Sequence, residues 1–513
     1  MARHLLRVDA VNMDSFVYDT EDISTIRGGS FCLLEAVDGL DQAFPVLERV
    51  AEAASQGLYT FEDQGMDSTS SLRKNVLNFL DRETGGFATF AAAITPFAND
   101  ADFQRALARV EADIHRQQMR RPTVRVPIST RANDPAPRRE CFLDGWRPGT
   151  VSAGGRALEG NRISSSVAFR RRKGQALRHS LFEKILGEEY TGLRCTPSLG
   201  DLASDPSQGG MDGRMALIYV DGNAFGRTRR HTCRSATDRQ GFDDAIQNAR
   251  RAFLKSLVDE ARGDPAFRQN GDLRIELLMW GGDEFMVIVP AWRGLQTIQL
   301  LYHSLSGMAF AGVPLSHRGA LIFCHHQAPI VPLRELAEDM LTRAKSDLVD
   351  RSVGLDPVAH QSISPLSDHA RGDGFHFLSL ESFDMLGGHL DEFVARHYRG
   401  LGGDPLPYHH LLMMASDLDD HLQHLATIRR NLPHSAVVDV IQEMLRHRDP
   451  ATKSPHDQAQ TAIDSVVSRA LAVLPQAARK PTRDALDAFT KDKPHRWFIL
   501  NDLWDYVESG GVA

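Results

Sequence analysis

The sequence predicts an α+β fold: two related α+β domains in tandem, followed by an α-helical C-terminal domain. Three observations predict it. Apolar strand-like runs alternate with amphipathic helical segments up to residue 383, a Val-Asp pair ends a strand twice (Val8-Asp9 and Val220-Asp221), and later residues are helical in pattern. A chain of 513 residues is also too long for one core. We divide it into domains at 1–128, 129–210, 211–383 and 384–513.

Composition is that of a globular protein, with 42% hydrophobic and 25% charged residues. No apolar run approaches the roughly 18 residues that span a bilayer, so we expect a cytoplasmic protein with no membrane partner. The net charge of −8 argues against non-specific coating of nucleic acid, although a local basic face remains possible. Five scattered cysteines without a C-x-x-C pair indicate neither a disulfide framework nor a zinc site.

The first domain opens with a strand at Leu5–Val8 that ends at Asp9. A helical segment follows, which the pattern breaks near Arg27-Gly28-Gly29-Ser30, and then a second helical stretch at Asp41–Ser55. A strand begins at Gly85, an amphipathic helix carries apolar residues from Phe103 to Ile114, and a strand covers Thr123–Ile128. This order predicts an α+β sandwich with helices on one face of the sheet.

Residues 129–210 are rich in loop-forming residues and contain a basic island, Arg170-Arg171-Arg172-Lys173 with Arg178. Two interpretations stay open. The island is either a solvated face or a strip that meets the phosphates of RNA or nucleotide.

The third domain begins with a strand that ends in Asp221-Gly222-Asn223 and turns at Gly226, and a long amphipathic helix covers about 242–262. The stretch MWGGDEFMVIVP then predicts a β-hairpin with Gly281-Gly282 at its tip, followed by Asp283 and Glu284. The glycines permit positive φ and let a polyanion approach the backbone. A helix at 294–308, a strand at 318–324, a helix from Pro332 and the strand FHFLSLE complete the domain.

Asp221 and Asp283 are predicted to stand at the ends of neighbouring strands. Such strands lie about 4.8 Å apart, so the two carboxylates and the carbonyl of Gly222 could share Mg²⁺. The metal would bind a nucleoside triphosphate, and Lys345 would neutralise its β- and γ-phosphates. The alternatives are a solvated acidic turn for the hairpin and an ordinary solvent-directed helix lysine for Lys345.

The C-terminal region is predicted to form helices at 390–397, 408–428, 436–446, 457–474 and 497–507. We find no catalytic motif in this region. Its one His-Asp dipeptide, His456-Asp457, lies in a stretch that reads as a polar linker. A metal-dependent phosphohydrolase would need further ligands on buried helices, so we assign the dipeptide no function.

Three motifs, VDGNAFG, WGGDEF and AEDMLTRAK, resemble the palm domain shared by GGDEF diguanylate cyclases, class III adenylate cyclases and the large synthase subunit of type III CRISPR effector complexes. The last is the most similar: its Asp-Gly-Asp, Gly-Gly-Asp-Asp and Ala-Lys motifs match residues 221–223, 281–284 and 344–345. The resemblance implies ferredoxin-like palms, Mg²⁺ or Mn²⁺, and ATP as substrate. It implies metal ligation by Asp221, Gly222, Asp283 and Glu284, and nucleotide contacts by Gly222, Asn223, Phe225, Gly226, Gly281 and Gly282.

That family carries two palms, the first without acids, and this chain is similar. The segment GGFATFAAAI from Gly85 reads as a counterpart of the hairpin, with Phe87-Ala88 in place of the acids. The resemblance further implies that Arg27 and Ser30 contact the acceptor nucleotide. It also implies that the acidic hairpin faces the first palm, with nucleotides held between the two.

The chain departs from the family in three places: no N-terminal HD nuclease domain is expected, the zinc-binding cysteine pairs are missing, and Asn223 replaces an acid. The leading hypothesis is a metal-dependent nucleotidyltransferase that makes cyclic (oligo)nucleotide signals from ATP in antiviral defence. One alternative is a scaffold subunit that binds RNA or CRISPR effector subunits. Another is a diguanylate or mononucleotide cyclase, although Leu277 stands where an Arg-x-x-Asp motif starting at Arg274 would place its acid.

Overall fold

The computed structural model describes residues 3–11, 13–62, 68–122, 140–154, 158–350, 372–381, 389–398, 411–446, 455–490 and 493–507. The predicted strand Thr123–Ile128 and the proposed boundary at residue 383 lie outside these ranges. No helix within the described ranges is long and apolar enough to cross a membrane.

The first domain is built around one antiparallel sheet. Its elements are β1 (Arg3–Ala10), α1 (Asp14–Val17), α2 (Ile23–Asp38), α3 (Leu40–Ala43), β2 (Glu48–Ala53), β3 (Gln56–Glu62), α4 (Ser68–Glu83), β4 (Phe90–Phe97) and α5 (Asp100–Gln118). The strand order is β2-β3-β1-β4. The helix predicted at Asp41–Ser55 is therefore wrong: α3 ends at Ala43, and Glu48–Ala53 is a hairpin strand in which Val50 and Ala51 are buried.

The connecting region consists of β5 (Val151–Ser152), β6 (Arg162–Ile163), α6 (Ser165–Leu177), α7 (Leu181–Leu186) and α8 (Leu199–Ala203). Helix α6 crosses α2 so closely that a Cβ on Gly28 would lie 1.8 Å from the Arg170 carbonyl oxygen, and a Cβ on Gly174 would lie 1.8 Å from that of Ser24. The glycines of α2 thus serve a helix crossing, and α2 is continuous through Arg27–Ser30 where the pattern predicted a break.

The basic island lies on and just after α6, and its charges are used within the chain. Arg170 pairs with Asp19, Arg171 with Asp22, Lys173 with Glu35 and Arg178 with Asp272. Among the five basic residues only Arg172 is exposed. The structure thus favours neither a solvated face nor an RNA strip for the island. Arg170, Arg171 and Lys173 hold α6 against the first domain instead, and Arg178 joins the connecting region to β9 of the second domain.

The rest of the chain forms a second sheet and a helical region. Its elements are β7 (Arg214–Gly222), α9 (Phe225–Thr232), α10 (Ala236–Gly263), β8 (Arg268–Gln269), β9 (Asp272–Leu273), β10 (Glu276–Gly281), β11 (Glu284–Pro290), α11 (Gly294–Leu305), β12 (Ala309–Phe310), β13 (Val313–Pro314), β14 (His317–His325), α12 (Ile330–Asp350), β15 (Gly374–Ser379), α13 (Leu390–His397), β16 (Met413–Met414), α14 (Leu418–Asn431), α15 (His434–Arg446), α16 (Pro455–Ala472), α17 (Gln476–Thr490) and α18 (Arg496–Leu503).

The second sheet has the order β10-β11-β7-β14-β15-β16. Its first four strands repeat the order of the first sheet, so the chain does contain a tandem repeat. The repeat corrects the expected counterpart of the acidic hairpin. Hairpin β10–β11 corresponds to β2–β3, with its tip at Ala53–Gln56, whereas Gly85-Gly86 lie in the connection between α4 and β4.

The C-terminal helices differ from the predicted ones at three points. Met413–Met414 pair with β15, so the helix expected from residue 408 begins at Leu418. Helix α17 was not predicted, and it contains Pro481. The backbone at His456-Asp457 belongs to α16, not to a linker.

The two domains pack reciprocally: α2 of the first lies on β10 of the second, and α10 of the second lies on β2 of the first. Across the first contact, Arg27 donates to Glu276 (Nε to Oε1, 2.8 Å), and both side chains are buried. Across the second, the Glu52 amide donates to the Asp243 carboxylate (3.0 Å). The two hairpin tips meet between these contacts.

Candidate functional site

The predicted strand-end site forms on the second sheet. β7 lies between β11 and β14, so Asp221 at its end is next to the hairpin that carries Asp283 and Glu284. Lys345 reaches this edge from α12 and donates to the Asp221 carboxylate. Both side chains keep about a third of their surface exposed (30% for Asp221 and 29% for Lys345). The lysine is therefore part of the site and is not a solvent-directed side chain.

The charges at this edge influence each other. Burial raises the pKa of Asp221, the ammonium of Lys345 opposes that rise, and the negative charge of Asp283 adds to it. The Asp283 carboxylate is thus close enough to Asp221 to disfavour its ionisation. A cation placed between the two would relieve this repulsion.

Glu284 is held on the side of the sheet that α12 covers. Tyr219 on β7 donates its hydroxyl to Glu284 and lies 3.3 Å from Glu338 of α12. Burial and the charge of Glu338 raise the pKa of Glu284, while Arg334 and Lys345 oppose the rise. One oxygen of Glu284 is therefore already used within the fold.

The turn after β7 has an unusual backbone. Ala224 takes a left-handed conformation (φ 54°) just before α9, a geometry that costs energy for a residue with a side chain. Gly222 is required because a Cβ there would lie 2.5 Å from the ring of Phe225. Gly226, in contrast, faces open space.

The hairpin glycines play different roles. Gly282 has positive φ (59°), as the turn prediction required. A Cβ on Gly281 would lie 2.2 Å from the Cβ of Ala54 in the first domain. Gly281 thus makes room for the opposing hairpin tip, and not, as predicted, for a polyanion.

The fit of a divalent metal rests on the donor chemistry. Within the described residues no three His, Cys, Asp or Glu side chains converge as a metal-binding group. Mg²⁺, however, is commonly held by one or two carboxylates with water and substrate phosphates. Asp221 and Asp283 supply two interacting carboxylates, and Asn223 adds a buried Oδ1 that accepts no hydrogen bond from any described residue. These donors fit Mg²⁺ or Mn²⁺ bound together with a nucleotide.

A cleft of about 120 Å³ opens between the domains beside the hairpin tip. The second domain contributes Gly282, Asp283, Phe225 and residues of α9 and α10, and the first contributes residues of β1, β2, β3 and α5. Sequence reasoning missed two arginines in this lining, Arg229 and Arg239. The signal was present in the basic run after VDGNAFG, but nothing in the sequence placed it opposite the first domain.

Arg27 and Ser30 do not belong to the cleft lining. Arg27 is 2% exposed and Ser30 5% exposed, both within α2. Arg27 donates to Glu276 and to the Gly174 carbonyl (2.8 Å), so its guanidinium joins the two domains and the connecting region. The expected contact between Arg27 and an acceptor nucleotide is therefore wrong, because the Arg27 guanidinium already donates to Glu276 and Gly174.

Comparison with known proteins supports the fold. No protein-family model matches the chain, and no curated protein does. Among solved structures, Csm1 in the Csm1-Csm4 cassette in complex with cA4 matches with a TM-score of 0.52 and 13% identity, over 99% of this chain and 70% of that one. Csm1 of T. onnurineus matches with a TM-score of 0.49 and 15% identity, over 99% and 70% of the two chains. The chain has the α+β fold of Csm1, which confirms at the level of fold the resemblance to the large subunit of type III CRISPR complexes.

Proposed function

We propose that the chain is a metal-dependent nucleotidyltransferase that joins ATP into cyclic oligonucleotides, as a palm-bearing subunit of an antiviral effector complex. The observation that carries the proposal is the meeting of Asp221, Asp283 and Lys345 at one sheet edge, beside a cleft between two domains of the same topology. The matched structures with cA4 and with ATP make adenine nucleotides the first substrates to test.

The reaction forms a bond between a ribose hydroxyl oxygen of one nucleotide and the α-phosphorus of another, and it breaks the bond to pyrophosphate. Asp221 and Asp283 would hold Mg²⁺ or Mn²⁺, which supplies charge stabilisation on the phosphates when bound. Lys345 would neutralise phosphate oxygens after exchanging its contact with Asp221. The Gly282 turn fixes the tip, because Arg250 donates to its carbonyl oxygen (2.8 Å) and lies over the ring of Trp280.

The test is pyrophosphate release from each γ-labelled nucleoside triphosphate with Mg²⁺ or Mn²⁺, with and without RNA, followed by mass spectrometry of the product. We expect a cyclic adenylate from ATP and none from the Asp283→Ala variant. Asp244→Ala, which removes an exposed carboxylate of α10, is the matched control and retains activity. Release from GTP alone would identify a guanylate cyclase, and no release from any triphosphate would contradict the enzymatic proposal.

A scaffold role is the second candidate. The structures of Csm1 with Csm4 motivate it, and so does Asn223, which leaves the strand end with one carboxylate fewer than the family motif. A scaffold would bind partner subunits with the same affinity after the Asp283→Ala change and would release no pyrophosphate. Pull-down with partner subunits, run beside the pyrophosphate assay, separates the two roles.

A further inference from the structure

Two arginines in the interdomain cleft lack acidic partners. Arg229 lies on α9 and Arg239 on α10, and both line the cleft together with Gly282 and Asp283. Each is partly buried, and no acid of the described residues forms an ion pair with either guanidinium. Burial and the positive charge of Arg229 lower the pKa of Arg239 to about 10. The two cations therefore lie close enough to repel each other.

Three of the four acids that line the cleft already have partners, and the fourth is Asp283. Glu111 pairs with Arg7 (3.0 Å), and Glu52 pairs with Arg49 (2.6 Å). Asp243 lies one helical turn from Arg239, but its Oδ2 accepts from the Glu52 amide (3.0 Å) and from Gln247 (2.8 Å). The arginine pair thus lines the cleft without an ion-pair partner among the described residues, and the charge of Asp243 offsets that of Arg239 only in part. Two partly buried cations side by side favour an anionic ligand.

We propose that Arg229 and Arg239 form an anion site that binds phosphate groups of a nucleotide lying in the cleft. The guanidinium group suits phosphate because it offers several donors in a planar fork. The rings of Phe225 and Phe242 lie beside the pair, with centroids 5.8 Å apart, and give the cleft an apolar wall. Asp283 lines the same cleft, so the anion site adjoins the strand-end acids.

This inference rests on the proposed function for the identity of the ligand, but its test does not require turnover. The probes are the non-hydrolysable ATP analogue AMPPNP, inorganic tripolyphosphate and adenosine. Their dissociation constants are measured by calorimetry on the full chain, in Mg²⁺ and in EDTA. The variants are Arg229→Ala and Arg239→Ala. Arg230→Ala is the control, since Arg230 is an exposed neighbour on the same helix that does not line the cleft.

We expect each of the two variants to weaken AMPPNP and tripolyphosphate binding by roughly 10- to 100-fold, because each loses charge-assisted hydrogen bonds. The control binds as the unmodified chain does. Arg239→Lys retains the charge and recovers part of the affinity, which separates a lost contact from a lost fold, and unchanged melting temperatures confirm folding. The slope of log Kd against log salt becomes shallower in the alanine variants.

Unchanged AMPPNP and tripolyphosphate binding in both alanine variants would overturn the anion site. Weaker adenosine binding with unchanged tripolyphosphate binding would overturn it too, because the arginines would then contact the base. These results are distinct from failure of the proposed function. If the chain binds AMPPNP through the arginines but releases no pyrophosphate, the anion site is supported and the enzymatic proposal is contradicted. If the chain is active and the alanine variants bind AMPPNP normally, the enzymatic proposal is supported and the anion site is contradicted.

Discussion

The ends of the first strand in the two sheets, at Asp9 and at Asp221, occupy the same place in the repeated topology and are built differently. Asp9 is 3% exposed at its side chain and accepts two hydrogen bonds from Arg7 (2.9 and 3.1 Å). The same guanidinium also contacts Glu111 of α5 (3.0 Å) and Gln56 (3.1 Å). The first strand end is therefore a closed network with a cation of its own.

The second strand end is open by comparison. Asp221 accepts from the Gly222 backbone and, among the described residues, forms an ion pair only with Lys345 of α12, and 30% of its side chain stays exposed. The helix after the fourth strand contributes an acid, Glu111, in the first domain and a cation, Lys345, in the second. The hairpin tips differ too, since Ser55 and Gln56 occupy the places that Asp283 and Glu284 take in the second domain. The first copy thus neutralises its strand-end charge internally, whereas the second leaves its strand-end carboxylate accessible.

The largest expected effect tests this comparison directly. Asp221→Asn removes a carboxylate that the proposed metal ion would bind, so we expect turnover to fall at least 10²-fold. Asp9→Asn leaves turnover near that of the unmodified chain but lowers the free energy of unfolding by about 1–3 kcal/mol, because Arg7 loses charge-assisted bonds. Pyrophosphate release and thermal melting measure the two changes.

Equal losses of turnover in both variants would contradict the assignment of a single catalytic strand end. A loss of folding in Asp221→Asn, seen by circular dichroism, would also remove the evidence for its chemical role. Ser55→Ala at the first hairpin tip is a further control, and we expect it to behave as the unmodified chain does.

The second effect concerns the two interdomain contacts. Arg27→Met leaves Glu276 buried without its cation, so we expect a loss of about 3–5 kcal/mol in the free energy of unfolding. The double variant Arg27→Met with Glu276→Met recovers most of that loss, because no buried charge remains unpaired. Urea unfolding followed by fluorescence gives the values. A double variant less stable than the single one would show that the pair itself stabilises the interface.

The third effect separates the glycines of the two turns. Gly281→Ala places a methyl group where Ala54 lies (2.2 Å), so the hairpin tips must separate. We expect a loss of about 1–3 kcal/mol, with reduced turnover, because Asp283 moves with its tip. Gly226→Ala meets no atom within 4 Å and is the matched control. Equal melting temperatures for the two variants would mean that the hairpin tips can accommodate a methyl group at position 281 without loss of stability.

How much the sequence could predict depends on the range of the interaction. The β7 end, the β10–β11 hairpin and α12 follow from local apolar patterns, and their motifs brought Asp221, Asp283 and Lys345 together correctly. The pattern failed at 41–55, where short strands carry too few alternating residues to be told from a helix. It failed at Gly28 and Gly281 for another reason. Gly28 faces Arg170 and Gly281 faces Ala54, and because both neighbours are distant in sequence, the local pattern could not indicate why a glycine is needed there.

The same limit explains the misassigned repeat and the missed arginines. Gly85-Gly86 resembles Gly281-Gly282 of the acidic hairpin in sequence. The structural counterpart of that hairpin tip, Ala53–Gln56, contains no glycine pair and could not be recognised from the sequence. Arg27 was assigned to a nucleotide by the family resemblance, and nothing in its own segment shows that its partner is Glu276 on the other domain. Arg229 and Arg239 could be recognised as a possible anion site only from the structure, which places them in the cleft beside acids that already have other partners.

The last expected effect is spread over several pH units and is a gradual change of stability at the second interdomain contact. Burial raises the pKa of Glu52 from 4.5 to about 8, with Asp38 adding to the rise and Arg49 opposing it. The folded state then holds a proton that the unfolded chain releases above pH 4.5, so the contribution of Glu52 is complete below that pH and is lost as pH rises towards 8. Glu52→Gln cannot titrate, and its melting temperature should therefore fall less over this range. If the two melting curves run parallel between pH 5 and 8, Glu52 is ionised in the folded chain and Arg49 alone balances it.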